Sequence, residues 1–392
     1  MTAKTRKRRL LVIGGTGVFG RRLASHLVLH CADAIDELVV TSRNAESAVA
    51  LADELFLADG PNVRGIGLDV HTSLGEVLTK ERPWAVVDCS SPFQNANHDV
   101  PRAVMEHGAH VIDLADARDY LLNYETALSR AAKANAVVGI AGASSTPALS
   151  GAVVRDLVSD WKRVDAIELS IVPGGRSEVG QSVLEAVLSY VGEPVPVWRG
   201  GRLDHVVGWS EPRAIDVHGL GRRRVATVET VDAERLGNRY RVSDDVTFSA
   251  GLESFAEQHG LELLAKLRAW KLIPDPTGLA RILHSVRRLT RWATEDRGGM
   301  TIEVRGTNAE GRECRATWTL LATDGCGPQV PVLATAAAIR RLACDAIVPG
   351  AYVADDVLSL NDILAEAEPY PITTYNERRF REDMLPSELA YA

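Results

Sequence analysis

A glycine-rich stretch near the start of the chain has the residue types and the spacing that bind a dinucleotide. The apolar run "LLVI" at 10–13 predicts a buried parallel strand, and a G-x-G-x-x-G pattern follows it. The first glycine permits a tight turn, the second lets the backbone approach a diphosphate, and the third allows close packing of the next helix. The predicted cofactor contacts in this stretch are Gly15, Thr16, Gly17, Val18, Phe19 and Gly20.

The end of the second predicted strand, "ELVVTSR", indicates which dinucleotide binds. In an NAD site this strand usually ends with Asp or Glu, whose carboxylate binds the ribose 2′-hydroxyl. Here it ends in Ser42 and Arg43, without an acid. A guanidinium pairs with a 2′-phosphate, and a hydroxyl donates a hydrogen bond to it. The sequence therefore favours NADP(H), with an exposed loop arginine as the alternative interpretation of Arg43.

Strands alternate with helices through the first 150 residues, a pattern that predicts a doubly wound parallel sheet. Ligands of such sheets bind beyond the carboxyl ends of the strands, so polar residues at those ends are site candidates. Asp69 is expected at the adenine edge, or as the cap of the next helix. The loop formed by Ser90, Ser91 and Pro92, after the fourth strand, is expected to contact the cofactor.

Three further residues are candidates for the chemistry itself. Hydride transfer needs orientation, a proton donor or acceptor, and electrostatic support for developing charge. Asp116, after the fifth strand, is a candidate acid, or the N-cap of a helix that begins near Arg118. His98, on the helix after the Ser-Ser-Pro loop, is catalytic or solvent-exposed. Arg176, after a Pro-Gly-Gly loop, pairs with a substrate carboxylate or lies on the surface.

Length, charge and cysteine content exclude several classes of protein. A chain of 392 residues exceeds one ordinary core, and a net charge of -8 argues against nucleic-acid binding. The five cysteines contain no CxxC pair, which suits neither a disulfide framework nor a zinc site. No apolar segment approaches the roughly 20 residues that span a bilayer. We expect a cytoplasmic protein with a small-molecule substrate, without nucleic acid, metal or membrane association.

The pattern changes after about residue 149, where consecutive strands without intervening helices predict an α+β domain with a mainly antiparallel sheet. Within it, "GMTIEVRGTNAEGRECRATWTLLA" predicts a long hairpin that turns at Asn308 to Gly311. The expected boundaries are a Rossmann domain at 1–148, the α+β domain at 149–327, and a segment at 328–392 that returns to the Rossmann domain.

Residues 261–292, "LELLAKLRAWKLIPDPTGLARILHSVRRLTRW", are rich in Lys and Arg and poor in acids. A basic amphipathic helix pair can lie on a membrane surface or bind an acidic lipid. More often such a stretch packs its apolar face on its own domain or on a partner subunit. The acidic overall charge favours the packing interpretation.

Several motifs together resemble the NADP-binding domain of the saccharopine dehydrogenase/reductase-like family. They are "VIGGTGVFGRRLASHL", "VVTSRN", "VVDCSSPF", "HVIDLAD" and "GASSTPALSG", while "DRGGMTIEVRG" and "GCGPQVPVLATAAAIRRL" resemble the C-terminal region of uncharacterised bacterial members. The resemblance implies NADPH-dependent hydride transfer, which in the best-known members joins an amine to an aldehyde through an imine. It also implies that the second sheet covers the nicotinamide and mediates a homodimer.

One departure from the family affects the substrate. The amine-forming saccharopine reductases carry Asp-Pro-Gly in the loop after the sixth strand, where this chain has Ser144–Ala148, "SSTPA". The acid proposed to assist their chemistry is therefore missing. Two functions follow from the sequence: an NADPH-dependent reductase of a small carbonyl, imine or enoyl compound, and a non-catalytic NADP(H)-binding sensor or scaffold.

Overall fold

The computed structural model describes residues 7–90, 92–94, 96–177, 180–280 and 295–380. The chain forms two compact units, each built from two separate parts of the sequence. The first unit contains the chain up to Leu149 together with Pro328–Ala367. The second contains Ser150–Gly327 and the chain from Glu368 onward.

The first unit is a parallel sheet of seven strands in the order β15-β6-β5-β4-β1-β2-β3. Its strands are β1 (Arg9–Ile13), β2 (Glu37–Ser42), β3 (Asn62–Gly67), β4 (Ala85–Asp88), β5 (His110–Asp113), β6 (Val138–Ala141) and β15 (Gly350–Val353). Leu10, Leu11 and Val12 of the central strand are fully buried, as a strand with neighbours on both sides requires. The predicted doubly wound fold is confirmed.

Helices connect these strands, and their starts follow from capping side chains where the sequence offers them. They are α1 (Val18–His30), α2 (Ala45–Glu54), α3 (Val70–Glu81), α4 (Asp99–Glu106), α5 (Arg118–Ala134), α10 (Val330–Ala343), α11 (Ala354–Val357) and α12 (Leu360–Ala365). Asn44 caps α2 by accepting from two backbone amides, and Ser359 forms a capping box with Asp362 at α12. Helix α1 buries Leu23 and Leu27. The segment Ser145–Leu149 turns into the next helix through an extended residue, Thr146.

The second unit is a mixed, mainly antiparallel sheet with four described helices. Its strands are β7 (Trp161–Val172), β8 (Pro194–Arg199), β9 (Arg202–Val207), β10 (Ser210–Val217), β11 (Gly221–Thr227), β12 (Val246–Ala250), β13 (Gly298–Asn308), β14 (Glu313–Ala322) and β16 (Ile372–Phe380). Its helices are α6 (Ser150–Leu157), α7 (Gln181–Tyr190), α8 (Asp232–Tyr240) and α9 (Phe255–Ala269), with short 3₁₀ turns at Pro276–Leu279 and Gly327–Gln329. The sequence-based prediction of an α+β domain is confirmed.

The long strands β7, β13 and β14 form the centre of this sheet. Strand β13 alternates buried and half-buried positions, so Met300, Ile302 and Val304 face the core. The β13–β14 hairpin turns where the sequence predicts, with the Gly311 amide donating to the carbonyl of Asn308 at 3.1 Å. The parallel pair among the described strands of this sheet is β7 with β12.

Strand β16 differs from the sequence-based expectation. The segment 328–392 was predicted to return to the Rossmann domain, and it does so only as far as Ala367. Beyond that residue, Ile372–Phe380 pairs antiparallel with β14, from Ala322–Ile372 to Cys314–Phe380. The long strand β14 offers a free edge of backbone amides and carbonyls, and β16 satisfies them.

Candidate cofactor site

The turn between β1 and α1 is as tight as the glycine motif predicts, but the residue that makes the turn is one position earlier than expected. The residue in the left-handed region is Gly14, with φ of 70°, whereas the sequence assigned the tight turn to Gly15. A Cβ at Gly14 would lie 3.1 Å from the backbone of Cys89, so the turn approaches the loop after β4. The Gly15 amide donates to the carbonyl of Thr41 at 2.8 Å, which fixes the turn against β2.

The third glycine of the motif lets α1 pack onto the turn, as predicted. A Cβ at Gly20 would collide with the carbonyl oxygen of Gly14 and would lie 2.7 Å from the Cα of Gly15. Gly17 is the N-cap of α1, is exposed, and supplies no side chain to cap the helix. The first turn of α1 contains no acid, so its amides and helix dipole are available to a phosphate.

Ser42 and Arg43 lie at the end of β2, next to this turn. The hydroxyl of Thr16 donates to Oγ of Ser42 at 3.0 Å, which connects the glycine motif to β2. The amide of Asn44 also donates to Ser42 Oγ, at 3.3 Å. Arg43 is exposed, and its guanidinium forms no ion pair with a described residue. The edge therefore presents a hydroxyl and an unpaired cation beside the helix N-terminus.

The other predicted cofactor contacts lie at neighbouring strand ends. Asp69 is the N-cap of α3, with Oδ1 accepting from the amide of His71 at 2.9 Å, so the capping interpretation is confirmed. Its contact with adenine stays a prediction. Ser90 and Pro92 are exposed after β4, and Ser90 donates its amide to Asp88 Oδ1 at 2.8 Å. Ser91 lies outside the described residues.

Asp113, the last residue of β5, forms a buried hydrogen-bonded centre at this edge. Its Oδ1 accepts from the amides of Gly142 at 2.9 Å and Ala115 at 3.0 Å. Its Oδ2 accepts from the hydroxyl of Tyr120 at 2.9 Å. Burial raises the pKa of Asp113 to about 7, against the lowering effect of these three donors. One carboxyl group therefore holds together the loops after β5 and β6 and the start of α5.

A second buried carboxyl group faces Asp113 across the strands. Asp88 ends β4 and is paired in register with Asp113 of β5. Burial raises the pKa of Asp88, although Ser90 donates both its amide and its hydroxyl to the carboxylate. The hydroxyl of Tyr124 is also buried here, without a hydrogen-bond partner among the described residues.

Sequence reasoning missed Asp88, Tyr120 and Tyr124 as members of this edge. The signal for Asp88 is a carboxylate directly after an apolar run, which is the pattern that also marks Asp113. No comparable signal exists for the tyrosines, because their neighbours are set by how α5 packs. Their rings lie 5.7 Å apart, and the ring of Phe93 lies 5.4 Å from Tyr120.

His98 precedes α4 as its N-cap residue, rather than lying on the helix as predicted. It is half-buried, and its Nε2 lies 2.9 Å from the backbone carbonyl of Tyr120. A carbonyl oxygen only accepts, so Nε2 carries the proton in this bond. Its ring also lies 4.6 Å from the ring of Tyr120. Nε2 of His98 is therefore engaged in a structural hydrogen bond, and Nδ1 is the ring nitrogen that could take part in proton transfer.

Asp116 and Arg176 belong to different units of the chain. Asp116 is exposed, and its Oδ1 accepts from Gln94 Nε2 at 3.1 Å. It is not a helix cap, because Ala117 is the N-cap of α5 and Asp116 precedes it. Arg176 is an exposed residue of the second unit, in the loop after β7, where its amide donates to the carbonyl of Glu295 at 3.3 Å. The contacts within the first unit bring His98 and Asp116 close to the loop after β4.

The comparison with protein families decides the nature of this site. The saccharopine dehydrogenase NADP binding domain matches residues 10–140, which include β1 through β6 and the loops between them. Over these residues the chain carries a saccharopine dehydrogenase NADP-binding domain. The resemblance that the motifs indicate is thereby confirmed, and NADP(H) is the cofactor of this domain.

Solved structures share the architecture at low sequence identity. Saccharopine dehydrogenase (L-Glu forming) from Saccharomyces cerevisiae has a TM-score of 0.63 and 13% identity, over 95% of this chain and 100% of that chain. An amine dehydrogenase from Mycobacterium smegmatis has a TM-score of 0.49 and 12% identity, over 91% of this chain and 97% of that one. The yeast likeness shows the fold. No curated protein matches the sequence at a significant level.

The residues of the site fit NADP(H). A Cβ at Gly17 would meet only the carbonyl of Gly14, at 3.2 Å, so the backbone there is open on its other sides. Ser42 and Arg43 place a hydroxyl and a guanidinium at the end of β2, and these are the groups that bind a 2′-phosphate. Among the helices that the structure describes, none has the length and apolar character of a bilayer-spanning segment. The family match supports an oxidoreductase.

Proposed function

We propose that the protein is an NADPH-dependent oxidoreductase that reduces a small carbonyl, imine or enoyl substrate. The observation that carries this proposal is one edge of the sheet, which holds an uncapped helix N-terminus, two buried carboxyl groups and Arg43, an arginine without an ion pair among the described residues. If the glycine turn had only a structural role, it would need neither the exposed guanidinium of Arg43 nor the buried carboxyl groups of Asp88 and Asp113. Perturbed acids next to a cofactor site are typical of enzymes.

Binding is assigned to the residues around the glycine turn. The amides of Gly17, Val18 and Phe19 would hold the diphosphate, and Ser42 with Arg43 would hold the 2′-phosphate. Asp69 and the Ser90–Pro92 loop would border the remainder of the cofactor. When bound, NADPH supplies the hydride that reduces the substrate.

A proton must also reach the reduced oxygen, nitrogen or carbon atom, and this is the task of the chain's own residues. Asp116 is our candidate donor, because it lies in the loop beyond β5 and the pKa of its carboxyl group is raised, chiefly by desolvation, which favours the protonated form. We assign Asp113 a positioning role, because all three of its hydrogen bonds are internal. Arg176 stays our candidate for pairing with a substrate carboxylate.

The first experiment titrates the purified chain with NADPH and with NADH, and repeats both titrations with Arg43→Ala. We expect the substitution to weaken NADPH binding about tenfold or more and to leave NADH binding unchanged, because a charge-assisted bond to the 2′-phosphate is lost. Arg21→Ala is the matched control, since Arg21 is an exposed arginine of α1 that pairs with Glu54 at 3.1 Å. Equal affinity of the wild-type protein for the two nucleotides, or no binding of either, would contradict the assignment.

Catalysis is tested separately, by following NADPH oxidation with panels of aldehydes, ketones, enoyl compounds and amine–aldehyde mixtures. An active compound whose turnover falls with Asp116→Asn, at unchanged NADPH affinity, supports the reductase. Tight NADPH binding without oxidation by any class would favour the second candidate, a non-catalytic NADP(H) sensor. The missing acid in the loop after β6 is the observation that favours this alternative.

A further inference from the structure

The surface around α9 exposes large apolar side chains. Phe255, Leu263, Trp270 and Leu272 are 75%, 57%, 69% and 66% exposed. Single exposed apolar residues are common on soluble proteins, but a contiguous group of them marks an interaction site. Of these, Leu263, Trp270 and Leu272 belong to the stretch 261–292, which is expected to pack on its own domain or on a partner subunit; they do not pack on their own domain, and packing on a partner subunit stays a prediction. Residues 281–292 of the same stretch lie outside the described residues.

The inward side of α9 contains two polar residues in addition to the buried Ala265 and the half-buried Leu261, Leu264 and Leu267. Gln258 and Glu262 face inward and are 1% and 7% exposed. Arg224 donates through Nε to Glu262 Oε1 at 2.8 Å, and Gln258 Oε1 accepts from the amide of Leu252 at 2.9 Å. Polar as well as apolar side chains thus attach the helix to its unit, while Phe255 and Leu263 face outward. Surface helices of soluble proteins normally keep large apolar side chains off their outer face.

The outward residues form one continuous stripe along the helix. Phe255, His259, Leu263, Lys266 and Trp270 follow spacings of four, four, three and four, which keep them on one face. We call these five residues the outer stripe. The rings of Phe255 and His259 stack with centroids 3.7 Å apart. The stripe extends over about 22 Å, at 1.5 Å for each helical residue.

The charges on this face indicate what it contacts. The exposed residues of α9 include Lys266 and no acid, and the exposed Lys271 follows the helix. Neither lysine forms an ion pair with a described residue. The acid nearest in sequence beyond Lys271, Asp275, accepts from the amide and hydroxyl of Thr277 and lies 3.8 Å from Arg268. The exposed residues of α9 are therefore apolar or cationic, while the half-buried Glu257 in its first turn and the exposed Asp275 lie beside them.

A protein partner fits this composition less well than a lipid surface does. The cores of protein interfaces are depleted in Lys, and a second copy of the same face would bring like charges together. At an anionic bilayer, aromatic rings and Leu insert at the headgroup level while Lys side chains extend to the phosphates. We propose that the outer stripe docks the protein on the surface of an anionic lipid bilayer, independently of its proposed reaction.

Binding on this basis should be reversible and sensitive to salt. The chain carries a net charge of -8, so the whole molecule is repelled while the outer stripe is attracted. Insertion of Phe255, Leu263 and Trp270 into the bilayer must supply the rest of the free energy of membrane binding. Neutral phosphatidylcholine vesicles lack the electrostatic attraction and should bind more weakly than anionic ones.

The test is flotation of the full chain with vesicles of phosphatidylcholine alone and of phosphatidylcholine with phosphatidylglycerol in equal parts. We expect the wild-type protein to float with the anionic vesicles and Trp270→Ser to bind about tenfold more weakly, because a buried aromatic side chain is lost. Lys266→Glu should weaken binding only to the anionic vesicles. Phe56→Ser is the matched control, since Phe56 is a 67% exposed aromatic residue of the first unit.

Each outcome decides the proposal. No flotation of the wild-type protein, or equal flotation of the wild type and Trp270→Ser, overturns it. A concentration-dependent dimer that Trp270→Ser converts to a monomer without lipid also overturns it, in favour of a second copy. Because Trp270 is exposed, the variant should keep the wild-type melting temperature. NADPH titration of the same samples shows whether the cofactor site is intact, so failure of this proposal is distinguishable from failure of the reductase.

Discussion

Asp113 connects three segments of the first unit through one carboxyl group. Two backbone amides and one tyrosine hydroxyl converge on it, and the buried Asp88 is its neighbour on the adjacent strand. Burial raises its pKa to about 7, from 3.8. The folded state therefore binds the proton more tightly than the unfolded chain does. Stability from this group is fully present below pH 4 or so and is lost as the pH rises through about 7.

The substitution Asp113→Asn tests this linkage. Asparagine keeps an oxygen for the two amides and an NH₂ group that donates to the Tyr120 hydroxyl, without a charge to desolvate. Between pH 5 and pH 8 we expect the wild-type protein to lose more free energy of unfolding than the variant. Over this pH range the difference has an upper limit of roughly 3 kcal/mol, because the folded-state pKa of about 7 lies two pH units above pH 5.

The measurement is urea unfolding of both proteins at several pH values, with Asp69→Asn as the control. Asp69 is an exposed N-cap, and Asn caps a helix as well as Asp does, so this variant should follow the wild-type pH dependence. Asp88 is present in all three proteins, so the comparison isolates Asp113. Parallel curves for Asp113→Asn and the wild type would show that Asp113 ionises normally.

At the scale of elements, the contact between α1 and the glycine turn sets the geometry of the cofactor site. Gly20→Ala places a Cβ against the Gly14 carbonyl, which must move with the turn. We expect this substitution to weaken NADPH binding and to lower the free energy of unfolding by about 1–3 kcal/mol, as overpacking does. Calorimetric titration and urea unfolding measure the two effects.

Gly75→Ala is the control for Gly20→Ala, because it makes the same change at a position where there is room for a Cβ. Gly75 lies in the exposed interior of α3, where an added Cβ meets nothing within 4 Å. Alanine should stabilise this helix by up to about 1 kcal/mol and leave NADPH binding unchanged. If both variants bind NADPH like the wild type, the close approach at Gly20 has no functional role.

The strands and the glycine turn could be predicted because their signals are local. Apolar runs ended by small or polar residues identify β1 to β6, and the β13–β14 hairpin follows from two alternating runs around one turn. Strand β16 could not be assigned to its sheet, because all but its end residues are exposed and its partner β14 lies about 50 residues away. Likewise, the sequence predicts Ser42 and Arg43 from their position, whereas the link between Asp113 and Tyr120 depends on how α5 packs.

At the scale of the whole molecule, the first unit is assembled from two segments that the second unit separates in sequence. A buried group joins them: His26 Nε2 lies 2.7 Å from Glu366 Oε2, and Arg340 Nε lies 2.5 Å from Glu366 Oε1. The Cys31 thiol also contacts Glu366, at 3.6 Å, and its pKa is raised to about 12, chiefly by burial. His26, Cys31 and Glu366 each have one atom that could bind a metal ion, and these three atoms lie within 4.8 Å of one another. However, both carboxylate oxygens of Glu366 already have partners, His26 and Arg340.

Glu366 is therefore the residue on which the returning segment depends. Burial alone would raise its pKa, but the hydrogen bond from His26 and the charge of Arg340 hold the pKa below its usual value. Its contribution is thus present at neutral pH and is lost as the pH falls below the ordinary range of a carboxyl group. Removing one partner from a buried charged cluster leaves the others uncompensated.

Glu366→Ala should accordingly destabilise the first unit by about 3–5 kcal/mol at neutral pH. Asp33→Ala removes the other carboxylate that contacts Arg340, at 2.9 Å, but Asp33 is 73% exposed, so its loss should cost at most about 1 kcal/mol. Urea unfolding monitored with and without saturating NADPH measures both variants and assigns the loss to the cofactor-binding unit. Equal destabilisation by the two substitutions would mean that the segment 328–367 is held by its apolar contacts, such as the fully buried Leu333 and Ile339 of α10, rather than by this charged group.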